Sequence, residues 1–128
     1  MNSNYLDTAI YMAYGKNRVK KYYTYMLRCE DNSIYTGYTN DIEKRMKAHF
    51  GKDKVAAKYT KSHTPVKVEA VWRSKEKSLA CKLEYYIKQL NKNEKEELIS
   101  TGRISQYFQG KIDCRKFWRM SNNAEPSN

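Results

Sequence analysis

Five side chains in this sequence could together cut a phosphodiester bond. Tyr25 and Tyr35 are phenols ten residues apart, in the triplets Tyr23-Thr24-Tyr25 and Tyr35-Thr36-Gly37. Arg45 and His49 stand four apart in a helix-like stretch, and so share a face. Glu84 lies in a second helix-like stretch, next to the apolar position Leu83. Phosphodiester hydrolysis needs an activated water, charge neutralisation at the phosphate and help for the leaving oxygen. Arginine is the best clamp for phosphate oxygens, and histidine moves protons near neutral pH. A phenol titrates near 10, so nearby cations would have to lower that for it to act as a base. Each residue also has a structural use. A hairpin tyrosine packs, a helix arginine is solvated, His49 can hydrogen-bond beside a core, and Glu84 can pair with Lys88.

Elements able to position these groups are legible in the pattern. Tyr22 to Cys29 is rich in strand formers, Glu30-Asp31-Asn32-Ser33 signals a turn, and Ile34-Tyr35-Thr36 resumes the strand up to Gly37. Asn40 with Glu43 matches a capping box, and Ile42, Met46 and Phe50 make the stripe of a helix over 41–50 that Gly51 ends. Val66 to Arg73 reads as a third strand. Ser78 can cap a helix whose face is Leu79, Leu83, Ile87 and Leu90, and Glu94 to Ile99 continues as a shorter one. The order strand, strand, helix, strand, helix, helix predicts an α+β fold with a small, mainly antiparallel three-stranded sheet flanked by helices. The expected organisation is an extension over 1–20, one domain over 21–100, and a tail over 101–128, partly packed and then disordered.

Charge names the partner class. The chain of 128 residues carries 25 Lys and Arg against 14 Asp and Glu, a formal net charge of +11. Residues 16–28 hold five basic residues and no acid, and residues 44–67 hold eight against Asp53 alone, whereas 68–102 is nearly balanced. Regional positive charge points to a polyanion. A hydrophobic share of 40%, with 12 Tyr, argues against disorder. No apolar run approaches the roughly 20 residues that span a bilayer. The N-terminus does not read as a signal peptide. Cys29, Cys81 and Cys114 are scattered and odd in number, which suggests neither a disulfide framework nor a zinc site. A reduced, cytoplasmic location fits.

The segment from Tyr23 to about Ile99 resembles the GIY-YIG endonuclease domain, and in particular its small stand-alone bacterial members. The likeness rests on the two triplets, on Thr39 to His49 as the first helix, on Lys58-Tyr59-Thr60, on Glu84-Tyr85-Tyr86-Ile87-Lys88 as the metal-binding Glu motif, and on Lys95-Glu96. The first triplet lacks its Gly and Ile, and Thr36 replaces the Ile of the second. The family's downstream Asn is not assigned, although Asn91 and Asn93 are candidates. The resemblance implies a nuclease using one Mg²⁺ or Mn²⁺ on Glu84, with Arg45 on a phosphate oxygen and Tyr25, Tyr35 and His49 handling the water. Tyr25 is favoured as the base and Tyr35 as its orienting partner. Gly37 is expected to allow close approach of backbone or phosphate. Nucleic acid would meet Gly37, Lys47, Lys52, Lys54, Lys58, Lys61 and Lys88. The expected substrate is DNA chosen by shape (branched, nicked or single-stranded), as in DNA repair. The alternative is a catalytically weak nucleic-acid-binding module on the same fold.

Overall fold

A computed structural model describes residues 20–51 and 63–120. The elements in chain order are β1 (Tyr22–Cys29), β2 (Ile34–Thr39), α1 (Ile42–Phe50), β3 (Pro65–Ser74), α2 (Lys77–Gln89), α3 (Lys92–Thr101), the single-turn α4 (Ser105–Phe108), a 3₁₀ turn (Cys114–Lys116) and β4 (Trp118–Arg119). The fold is α+β, with an antiparallel sheet ordered β2-β1-β3-β4. It therefore has four strands rather than the expected three. The fourth is two residues long, and Arg73 and Trp72 of β3 pair with its Trp118 and Arg119. Nothing periodic marks so short a strand in the sequence.

Local chemistry makes the hairpin. Asn32 takes a left-handed φ of 72°, which Asn tolerates better than most residues. Asp31 Oδ1 accepts from the Ser33 amide at 3.0 Å and from its hydroxyl at 2.6 Å. β2 runs past Gly37 to Thr39. Asp41, not Asn40, caps α1, accepting from the Lys44 amide at 3.1 Å. Glu76 precedes α2 without a side-chain cap, so the helix starts before Ser78. Asn91 and Glu94 form a reciprocal capping box that starts α3 two residues earlier than the apolar pattern.

β1 lies inside the sheet with helices over both faces, so nearly all of it is buried. Its alternation still sorts two cores. Tyr23, Tyr25 and Leu27 pack with Ile42, Met46 and Val71 under α1. Met26 packs with Ala70, Trp72, Leu83, Ile87 and Leu98 under α2 and α3. Ile104, Phe108, Ile112 and Phe117 extend this second core. Thr24 donates from Oγ1 to the Ala80 carbonyl at 3.0 Å, fastening β1 to α2. Arg28 pins β1 to its neighbours, reaching Glu69 of β3 at 2.9 Å and both oxygens of Glu96 on α3 at 2.5 and 2.6 Å. Such bidentate charged pairs fix orientation as well as distance. Among the described residues, no helix is long and apolar enough to cross a membrane.

Candidate active site

The α1 face of the sheet carries a cluster of three rings. Tyr25 and Gly37 are register partners on β1 and β2, which places Tyr35 one side-chain step along the same face. Ring centroids lie 6.1 Å apart for Tyr25 and Tyr35, 5.6 Å for Tyr25 and His49, and 5.3 Å for Tyr35 and His49. Tyr25 Oη is 2.9 Å from His49 Nε2. The triplets and α1 thus meet as the spacing suggested. Tyr25 is only 1% exposed and His49 5%, while Tyr35 is half-buried.

Gly37 packs against both phenols. A Cβ on it would stand 2.7 Å from Tyr25 Oη, 2.9 Å from Tyr25 Cζ and 3.0 Å from Tyr35 Cε2. The space above this glycine is filled by the two phenols.

Burial sets the protonation. The Tyr25 phenol is pushed up, first by burial and then by Tyr35, and the opposing pull of Arg45 does not win. This reverses the expectation that neighbouring cations would favour its phenolate. His49 is lowered to about 4, by burial first and by the Arg45 charge second, so its imidazole is neutral at pH 7. A neutral ring nitrogen can accept a proton.

Arg45 and Glu84 approach from opposite faces of the sheet, on α1 and α2. Both charges reach residues of the β2 edge of this sheet. Both charges act on Tyr25 and on Tyr38, lowering and raising their pKa values respectively. Tyr38 is raised chiefly by its hydrogen bond with Cys81 of α2. Arg45 opens into a cleft of about 400 Å³ lined also by Tyr22, Tyr38, Thr39, Asn40 and Lys77. Tyr22, Tyr38 and Lys77 were not singled out in the sequence. Tyr38 had one available signal, its position three residues after Tyr35 on the opposite strand face.

The Glu84 side chain is 20% exposed, and Lys88 Nζ approaches its carboxylate at 3.2 Å, the ion pair that helix spacing allows. No group of three or more His, Cys, Asp and Glu able to hold a metal occurs among the described residues. Among the described residues, Glu84 is a carboxylate whose charge reaches this cluster. Such a donor fits a dication such as Mg²⁺, which keeps several waters and takes phosphate oxygens, rather than an ion needing an all-protein cage. Lys47 is exposed and lies 3.6 Å from Glu43. Lys52, Lys54, Lys58 and Lys61 lie outside the described residues.

Residues 21–97 match the model of the GIY-YIG catalytic domain, and the chain belongs to the GIY-YIG family. Such a domain implies nuclease activity in general and a nucleic-acid substrate. The chain is 52% identical over 79 residues to the UPF0213 protein FN1575 of Fusobacterium nucleatum, covering 62% of this chain and 77% of that one. It is 45% identical over 84 residues to the UPF0213 protein CPE1444 of Clostridium perfringens, covering 66% and 88%. The solution NMR structure of the UPF0213 protein BH0048 from Bacillus halodurans aligns at 40% identity over 62% of this chain and 83% of that chain, with a TM-score of 0.42.

Proposed function

We propose that this chain is a metal-dependent endonuclease that hydrolyses phosphodiester bonds in DNA, selecting branched, nicked or single-stranded structure over sequence. The observation that carries this reading is the buried Tyr25–His49 hydrogen bond at 2.9 Å with Tyr35 packed against both rings. A buried phenol bonded to a neutral imidazole is an arrangement through which a proton can pass.

The half-buried Tyr35 is the phenol that can meet a water. This favours Tyr35, rather than Tyr25, at the point of attack. As the water oxygen bonds to phosphorus, its proton passes to Tyr35. Tyr35 hands its own proton to Tyr25, and Tyr25 hands its proton to His49 Nε2, whose disfavoured imidazolium then releases it to solvent. No phenolate has to exist beforehand, which suits the raised Tyr25. Arg45 holds a phosphate oxygen and stabilises the charge that builds on it. Glu84 is the residue that would hold Mg²⁺ (or Mn²⁺), which when bound supplies Lewis-acid charge at the phosphate. The leaving oxygen breaks from phosphorus and takes a proton from solvent.

Glu84→Gln tests the reading. Cleavage with Mg²⁺ should vanish while fold and DNA affinity persist. Turnover at the wild-type rate in this variant, or by the wild type in excess EDTA, would sink the one-metal mechanism. A wild type that binds DNA but cuts none of a duplex, flap, branched and single-stranded panel would be the catalytically weak binding module.

A further inference from the structure

Beyond the ring cluster, one end of the sheet gathers a second group of charged and aromatic side chains. The register places Thr39 of β2 beside Tyr23 of β1, Tyr23 beside Arg73 of β3, and Arg73 beside Trp118 of β4. The Arg45 cleft opens at this same end, through Tyr22, Thr39 and Lys77. From there, cations continue across the strands. Lys21 precedes β1, and the charges of Arg73 and Lys75 act on it. The Arg73 guanidinium lies 4.8 Å from the centroid of the Trp118 ring, and Lys75 Nζ lies 5.8 Å from it.

Trp118 is 42% exposed, one of the few large apolar side chains left open to solvent among the described residues. The next residue, Arg119, points to the opposite face of the strand, donating to the Glu69 carbonyl at 3.3 Å with its guanidinium 5.4 Å from the Trp72 ring. The strand is thus fastened, and the indole it presents is positioned. An exposed indole with Arg73 and Lys75 over its ring offers aromatic surface and positive charge together, which suits a nucleotide base and its phosphates. Duplex DNA keeps its bases stacked inside and offers no face to such a ring.

We propose that Trp118, with Arg73, Lys75 and Lys21, forms a stacking platform for an unpaired nucleotide strand running from the Arg45 cleft across the end of the sheet. It rests on the nucleic-acid reading above and adds what selects the substrate. Three strand spacings of about 4.8 Å put the platform about 14 Å from the β2 side, roughly four stacked nucleotides at about 3.4 Å each. The enzyme then recognises a junction, with its unpaired flank held on β4 and the scissile phosphate beside Arg45.

The test is equilibrium binding of the full chain in EDTA, where no cleavage is needed. The probes are a blunt duplex, the same duplex with a five-nucleotide single-stranded tail, and that duplex with an abasic tail. The wild type should bind the tailed duplex at least about fivefold more tightly than the blunt one, and the abasic tail should lose most of that gain. Trp118→Ala should lose the gain, and Trp118→Phe, which keeps an aromatic face, should retain part of it. Unchanged melting temperatures would show that both variants are folded, since the ring lies outside the core. If Trp118→Ala keeps the full gain, or the abasic tail binds like the normal one, the platform is refuted. That result leaves the nuclease reading standing if the wild type still cuts with Mg²⁺. Tail binding through Trp118 by a protein that never cuts refutes the nuclease reading and supports the platform.

Discussion

Replacing Gly37 with alanine would insert one methyl group between the two phenol rings. Its carbon would stand 2.7 Å from Tyr25 Oη, 2.9 Å from Tyr25 Cζ and 3.0 Å from Tyr35 Cε2. Carbon atoms prefer about 3.5–4.0 Å, so the two carbon contacts are short by about 0.5–1 Å, and the approach to Tyr25 Oη is tighter still. Tyr25 cannot readily give way, because it is 1% exposed and tied to His49 at 2.9 Å. Tyr35 is half-buried and has room to swing outward. Overpacking of this kind costs about 1–3 kcal/mol. In a domain of this size, each kcal/mol lowers the melting temperature by about 4–8 °C. Gly37→Ala should therefore melt about 5–20 °C below the wild type, with the urea midpoint lowered and its slope unchanged. Cleavage should fall about 10²-fold, the cost of misplacing a reacting group by about 1 Å. Adding Tyr25→Phe removes the 2.7 Å contact but leaves those at 2.9 and 3.0 Å, so the double variant should recover only part of the lost stability. A Gly37→Ala protein that melts within about 2 °C of the wild type and cuts at its rate would refute this packing.

Other expectations follow from the same geometry. Tyr35→Phe keeps the ring and should barely move the melting temperature, yet single-turnover cleavage should slow by about 10²–10⁴-fold. Tyr25→Phe should also lose about 1 kcal/mol in urea titrations with the His49 hydrogen bond, and wild-type rates in both variants would leave the triplets only structural. His49 titrates at about 4 when folded, against 6.5 for the ordinary group, so over that window the unfolded chain binds the extra proton. Stability should therefore drop as pH falls from about 6.5 towards 4, by up to about 3 kcal/mol. Urea titrations at pH 7, 5.5 and 4.5 should show a shallower decline for His49→Gln, and identical declines would refute a buried neutral imidazole. Arg45→Lys keeps the charge but not the planar fork, so DNA affinity should largely hold while the single-turnover rate drops about 10²-fold. Equal small losses in both would make Arg45 one more backbone contact.

Local patterns were enough for the hairpin, the three main helices and the third strand, because strand composition, turn residues and apolar spacing act over neighbouring residues. They also nominated Tyr25, Tyr35, Arg45, His49 and Glu84 by spacing and family resemblance, and three of these five meet as one ring cluster. Other features needed the folded chain. Trp118 becomes a strand residue only by pairing with Arg73, 45 positions earlier, and no periodicity of its own foretells that. That a side chain at Gly37 would collide with Tyr25 and Tyr35 is visible only once β1 and β2 are paired. The direction of the Tyr25 shift is likewise tertiary. Arg45 pulls one way, and burial between α1 and the sheet pulls harder the other. Residue types supply the groups, but desolvation depends on what covers them, and that is decided by contacts between segments far apart in the chain.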